Sequence, residues 1–210
     1  MTITPHNVAI LIFPGVELLD FAGPFEVFSS ARMTFETPDR LFNVFTVAES
    51  PAPLRCNNPV TVAPDYTLET CPLVDILVVP GGYGTRSAIT RTPLIDWLRA
   101  QASTAAVITS VCTGSFLLAE AGLLAGRAAT THWASIQRMR DAYLDLEVRQ
   151  HVRWVDEGAV VSSAGVSAGI DMALHIVARF YGADAARVTA RWIEYDYWNQ
   201  DEGSHVAHAG

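Results

Sequence analysis

The side chain best placed for covalent chemistry is Cys112. An apolar strand-like run over residues 105–111 leads into it, and an apolar helical run begins immediately after. A thiol at such a junction meets the free N–H groups and partial positive charge of a helix start, which favour thiolate over thiol. A sharp strand-to-helix turn also pushes the side chain outward, as in a nucleophile elbow. Gly114, two residues on, leaves room for the tight backbone, although Ser110-Val111-Cys112-Thr113-Gly114 lacks the first glycine of the usual elbow motif. The bland reading is that a buried cysteine is a small hydrophobe.

Two acids, Glu17 and Asp20, precede Pro24. On position alone, Asp20 reads as a carboxylate in the first turn of a helix, where the dipole favours negative charge. Asp171, near the start of a later helix, reads as dipole-matched or ion-paired. Gly81-Gly82-Tyr83-Gly84 is followed by no Gly-Lys-Ser/Thr and is neither a phosphate loop nor a dinucleotide fingerprint. No His/Cys set has zinc spacing, and His205 and His208 are too few to read as a metal site. No metal and no cofactor is signalled.

These residues need elements to hold them. Largely apolar runs at 8–13, 42–47, 74–79 and 105–111 read as strands, the first of them apolar throughout, as in a parallel sheet covered on both faces. Helical stretches are expected from near Pro24, over 93–100, 113–121, 133–143 and 167–181, and over 183 to about 198. Residues 51–68, with prolines and the Asn57-Asn58 pair, read as an excursion containing a hairpin. A second hairpin is expected to join 148–155 to 159–163 through Asp156-Glu157-Gly158. The alternation predicts an α/β fold with a mostly parallel sheet. No repeat or linker divides it, so residues 1–200 read as one domain and 201–210 as a loose tail.

Composition bounds the partners. The 210 residues are 50% hydrophobic and only 17% charged, which suits a real core and a surface partly covered by a second subunit. A net charge of −8 lacks the basic footprint expected for nucleic acid or an anionic membrane. The polar first seven residues carry no signal-peptide pattern, and no apolar run is long enough to span a bilayer. Three irregularly spaced cysteines, Cys56, Cys71 and Cys112, are no disulfide framework and suit a reducing, cytoplasmic setting. Cys56 and Cys71 lie in the excursion and read as incidental.

Four blocks, in order, carry a resemblance. They are Phe-Pro-Gly-Val-Glu-Leu-Leu-Asp-Phe-Ala-Gly-Pro from Phe13 to Pro24, and Val-Pro-Gly-Gly from Val79 to Gly82. The third is Cys-Thr-Gly-Ser-Phe-Leu-Leu-Ala from Cys112, with Ala-Thr-Thr-His-Trp from Ala129. The fourth is Ser-Ala-Gly-Val-Ser-Ala-Gly-Ile-Asp from Ser163. Together they resemble the DJ-1/PfpI (ThiJ/PfpI) superfamily, and within it the isonitrile hydratase-like branch. The resemblance implies a flavodoxin-like three-layer α/β/α sandwich and a homodimer. It places the reactive cysteine at Cys112 and its acidic partner at Asp20, in preference to Glu17. It assigns the Gly82 and Thr113 N–H groups to an oxyanion-binding pair, and places His132 beside the cysteine among the oxyanion- or substrate-binding residues, where a structural role outweighs a catalytic one. The protease-like branch has histidine directly after its nucleophile; here Thr113 stands there, which argues against a peptidase dyad and leaves its hydroxyl to bond the reacting group.

The implied reaction adds water to a small uncharged isonitrile to give an N-substituted formamide, with Cys112 attacking and Asp20 moving the proton. Burial is expected to raise the pKa of Asp20 for that task. Other functions remain open: a redox sensor, in which Asp20 would hold an oxidised cysteine, a ligand-binding module, or a glyoxalase-like enzyme on another electrophile. Regulators of this branch continue into a DNA-binding segment, for which the residues after Trp198 leave no room. The hydratase branch tends to carry a proline-rich stretch after the pair seen here as Glu194-Tyr195; residues 196–201 differ, which bears on substrate choice. Tyr195, Tyr197 and Trp198 are expected to pack against the body or a partner.

Overall fold

The structure is a computed structural model that describes residues 4–36, 40–196, 198–199 and 203–205. The first half runs β1 (His6–Leu11), α1 (Leu18–Ser30), β2 (Phe42–Ala48), β3 (Leu54–Arg55), β4 (Thr61–Val62), β5 (Tyr66–Thr67), β6 (Ile76–Val79), α2 (Thr85–Ala88), α3 (Thr92–Ala102) and β7 (Val107–Val111). The second half runs α4 (Gly114–Glu120), β8 (Ala128–Ala129), a 3-10 turn (Trp133–Ser135), α5 (Ile136–Ala142), β9 (Glu147–Val148), β10 (Trp154–Asp156), β11 (Val160–Ser163), α6 (Ala168–Tyr181), α7 (Ala183–Trp192) and β12 (Gly203–His205).

Eight strands form one sheet in the order β12-β10-β11-β7-β6-β1-β2-β5. The centre is parallel: β1 pairs with β2 and β6, β6 with β7, and β7 with β11. The antiparallel pair β10–β11 is the expected hairpin. Helices α1, α6 and α7 pack together, and α2, α3 and α4 form a second group. The result is the flavodoxin-like α/β/α sandwich, built as the apolar runs require. Val8, Ala9, Ile10 and Leu11 of β1 are all fully buried, because a central strand has helices over both faces.

The sheet order places the chemistry. The chain leaves β1 toward β2 on one side, then returns to lay β6 and β7 on the other. That reversal makes a crevice at the carboxyl ends of β1, β6 and β7, the usual ligand position in open α/β sheets. The segments holding Asp20, Gly82 and Cys112 follow those three strands.

Several boundaries differ from expectation. Helix α1 begins at Leu18, not near Pro24, and Pro24 lies inside it. An interior proline removes the bond to the carbonyl four residues back, here Asp20, and costs about 3 kcal/mol. Burying Phe21, Val27 and Phe28 outweighs this, at roughly 1.5–3 kcal/mol each. The earlier start is what brings Asp20 into the first turn. The expected strand over 148–155 is interrupted: β9 pairs with β8, His151 takes a left-handed φ of 63°, and the sheet resumes only at Trp154. Helix α7 stops at Trp192 rather than near 198, because Glu194 turns left-handed (φ 53°) and the Tyr195 N–H closes back on the Ala190 carbonyl at 2.8 Å, a Schellman-type end.

The excursion contains the expected hairpin, β3–β4, and then adds β5 beside β2. Of the segment expected to be loose, Gly203–His205 form edge strand β12 parallel to β10; residues 201–202 and 206–210 lie outside the described residues. Tyr195 and Trp198 pack against the core as expected, while Tyr197 lies outside the described residues.

Candidate active site

Cys112 is the residue at which the chain turns from β7 into α4. It is 6% exposed and has a left-handed φ of 57°. A non-glycine residue there is strained, and the surroundings must hold it. They do so from both sides. The Cys112 N–H donates to the Ser163 and Ala164 carbonyls at 3.2 and 3.0 Å. Its carbonyl accepts from the hydroxyls of Ser115 (3.0 Å) and Thr131 (2.9 Å). The glycine requirement at 114 is steric: a Cβ there would lie 2.0 Å from the Val79 carbonyl oxygen.

Asp20 is wholly buried. The Gly81 N–H donates to its Oδ2 at 2.9 Å, and the Cys112 thiol and the Val166 N–H also bond the carboxyl. Oδ1 is buried with no partner of ordinary hydrogen-bond geometry among the described residues. Burial, with a smaller push from Glu17, raises the Asp20 pKa to about 7, although the bonds from Gly81, Cys112 and Val166 pull it down. The expectation of a carboxyl that holds a proton near neutrality is therefore met by burial. The helix start that would ionise it is outweighed.

The expectation for the thiol is reversed. Burial, then the neighbouring Asp20 carboxylate, push Cys112 up to about 12, against the pull of the Thr113 N–H and hydroxyl. The seven-residue helix α4 does not compensate. Burial and the Asp20 neighbour thus favour the thiol over the thiolate in the resting site.

Thr113 and Gly82 meet, but not as two free donors. The Gly82 N–H donates to the Thr113 hydroxyl oxygen at 3.0 Å, and Thr85 Oγ1 lies 3.2 Å from the same atom. Of the expected pair, the Thr113 N–H bonds the sulfur, while the Gly82 N–H is bonded to the Thr113 hydroxyl. His132 caps the 3-10 turn, its Nδ1 accepting from the Ala134 N–H at 3.3 Å. Its ring lies against Gly165, where a Cβ would fall 2.2 Å from Cδ2. It also lines the cavity over Cys112, at the rim of the site.

A cavity of about 410 Å³ opens over Cys112 and Thr113, lined also by Glu17, Asn57, Gly82, Tyr83, Arg86, His132, Ser135 and Val166. Glu17 is thus a pocket residue rather than the thiol's partner, its carboxylate accepting from Asn57 Nδ2 at 2.9 Å. Asn57, Tyr83, Arg86 and Val166 escaped the sequence reading. Asn57 arrives from the β3–β4 hairpin, and Val166 has a left-handed φ of 52° that no spacing announces. Cys56 is buried and Cys71 half-buried; burial pushes Cys71 up to about 11. Asp171 is ion-paired, accepting from Arg153 Nε at 2.8 Å. Among the described residues no group of three His, Cys, Asp or Glu could hold a metal ion, and no helix is long and apolar enough to cross a membrane.

Residues 6–179 match the DJ-1/PfpI family. The chain belongs to the DJ-1/PfpI family. Within that family it is 35% identical over 189 residues to an isonitrile hydratase of Pseudomonas putida, covering 90% of this chain and 78% of the relative. It is 32% identical to the HTH-type transcriptional regulator CdhR of Pseudomonas aeruginosa, covering 84% of this chain but only 51% of the regulator. Among solved structures, a ThiJ/PfpI family protein from Pseudomonas syringae superposes with a TM-score of 0.82 at 29% identity, over 93% of this chain and 77% of that one.

Proposed function

We propose that this DJ-1/PfpI protein is an isonitrile hydratase, with Cys112 as nucleophile and Asp20 as its proton carrier. The observation that carries the reading is the buried pairing of the Cys112 thiol with a carboxyl whose pKa is about 7. The relative named isonitrile hydratase supports the substrate class.

The reactive pair holds one proton. Asp20 as carboxylate takes the thiol proton as the sulfur approaches the terminal carbon of R–N≡C. The protonated Asp20 then delivers that proton to the same carbon as the C–S bond forms, leaving the thioimidate R–N=CH–S–Cys112 and a carboxylate. Water adds across the C=N bond with Asp20 as base. The tetrahedral adduct expels the sulfur, giving R–NH–CHO, and the proton returns to the pair. The Thr113 N–H eases the anionic sulfur on both occasions. The Thr113 hydroxyl, bonded to Gly82, fixes the loop that carries the Gly81 donor to Asp20.

A redox sensor is less well served by this site, since peroxide attacks the thiolate and this sulfur is buried and held protonated. Because a relative is named a transcriptional regulator, the same pocket read as an effector site is the competing case, and turnover separates the two. The test is formamide production from a panel of isonitriles. Wild type should turn over, Cys112→Ala should not, and Asp20→Asn should lose at least about a hundredfold, the scale of a general acid–base contribution. No formamide from any isonitrile would overturn the reading.

A further inference from the structure

Arg86 lines the cavity over Cys112, with its guanidinium carbon 5.3 Å from the Tyr83 ring centroid. Arg138, on α5, stands 4.1 Å over the ring of Phe116, in the helix that begins just after Cys112. Arg138 follows Ser135, a residue of the cavity lining, by one helical turn, and the charge of Arg86 acts on it. Elsewhere Arg91, Arg153 and Arg179 each hold a carboxylate. Arg86 and Arg138 have no carboxylate or carbonyl partner among the described residues.

In a chain of net charge −8, two cations left without an acid, Arg86 in the pocket lining and Arg138 one helical turn beyond the lining residue Ser135, call for a ligand. Stacking a guanidinium on a ring leaves its N–H edge free, and that edge suits two oxygens of one anion. The cavity's acid, Glu17, is bonded by Asn57 and acts on Asp20, which places it toward the Asp20 side. The cavity lining thus carries one acid, on the Asp20 side, and one arginine, Arg86.

We propose that Arg86 and Arg138 form an anion subsite, so that the preferred substrate is a small electrophile carrying a carboxylate or phosphate away from its reacting carbon. For the isonitrile case this rests on the hydratase reading above and narrows the expected uncharged substrate to an anionic one.

The experiment measures protection of Cys112 from iodoacetamide at mildly alkaline pH by benzoate, phenyl phosphate and benzamide. Wild type should be half-protected by one of the anions at roughly a tenth or less of the benzamide concentration, the scale of a charge-assisted contact. The better anion identifies the oxygen group. In Arg86→Gln/Arg138→Gln the ratio should fall to about one. Equal protection by all three compounds in wild type, or an anion preference that survives the double substitution, would overturn the subsite. Protection needs no turnover, so absence of formamide from every isonitrile would sink the hydratase reading without touching this one. If formamide is made, 4-isocyanobenzoate should exceed its methyl ester in kcat/KM, and the double substitution should erase that preference.

Discussion

The Gly82 N–H donates to the hydroxyl of Thr113 at 3.0 Å, which ties the loop after β6 to the residue following the candidate nucleophile. Because Gly81 is the donor to Asp20, one hydroxyl links the thiol's neighbour to the carboxyl's neighbour. Thr113→Val removes that acceptor and leaves the Gly82 N–H without it, a change worth about 1–3 kcal/mol. Hydration should fall roughly tenfold or more, with Thr113→Ser keeping most of the activity. Steady-state kinetics on the two variants checks this, because loss of methyl packing would impair Thr113→Ser and spare Thr113→Val, the reverse order.

Removing the carboxylate should make Cys112 more reactive toward a simple alkylating agent while ending catalysis. Asp20 is the second cause, after burial, of the raised thiol pKa. In Asp20→Asn the pKa should fall, and iodoacetamide should label Cys112 faster at neutral pH. A variant that labels more slowly than wild type would show that the Asp20 carboxylate does not hold the resting thiol protonated.

The pH profile follows from the pair holding one proton. Below about 7 Asp20 is protonated and cannot take the thiol proton. kcat/KM should therefore rise through about pH 7. It should then stay level through the alkaline range, since the last proton leaves only near 12. A profile that instead falls as pH rises through 7 would contradict this assignment.

Stability should carry the same group with the opposite slope. The folded pKa of Asp20 is raised from 3.8 to about 7, so its contribution is fully present below 3.8 and is lost as pH rises through about 7. The loss is on the order of 4 kcal/mol at most. Urea midpoints across that window should decline more steeply for wild type than for Asp20→Asn.

Gly114→Ala should be among the most damaging single changes outside the reacting atoms. Its Cβ would meet two backbone carbonyl oxygens, of Val79 at 2.0 Å and of Pro80 at 2.8 Å, which are not free to move aside. A loss of about 3 kcal/mol in denaturant unfolding is expected.

What could be read from the residues followed from what they bury. The runs at 8–13, 74–79 and 105–111 became β1, β6 and β7 because a short, mostly apolar run can bury both of its faces only as a strand covered on both sides. Gly114 and the strand-to-helix turn at Cys112 were legible for the same local reason. Pro24 misled, because its local cost was set against tertiary burial of Phe21, Val27 and Phe28. The state of the thiol was not legible at all: a helix start is visible in sequence, but the burial and the Asp20 neighbour that outweigh it come from β1, β6 and β7 lying side by side. Arg86 and Asn57 reached the pocket through loops whose path no periodicity records.

The most direct test of the account is acid-quenched mass spectrometry of the protein during turnover of an isonitrile. The account predicts a transient gain equal to the mass of the whole isonitrile, confined to the peptide holding Cys112 and absent from Cys112→Ala, which makes no formamide. Formamide produced at an undiminished rate by Cys112→Ala, with no adduct on the wild-type thiol, would contradict it.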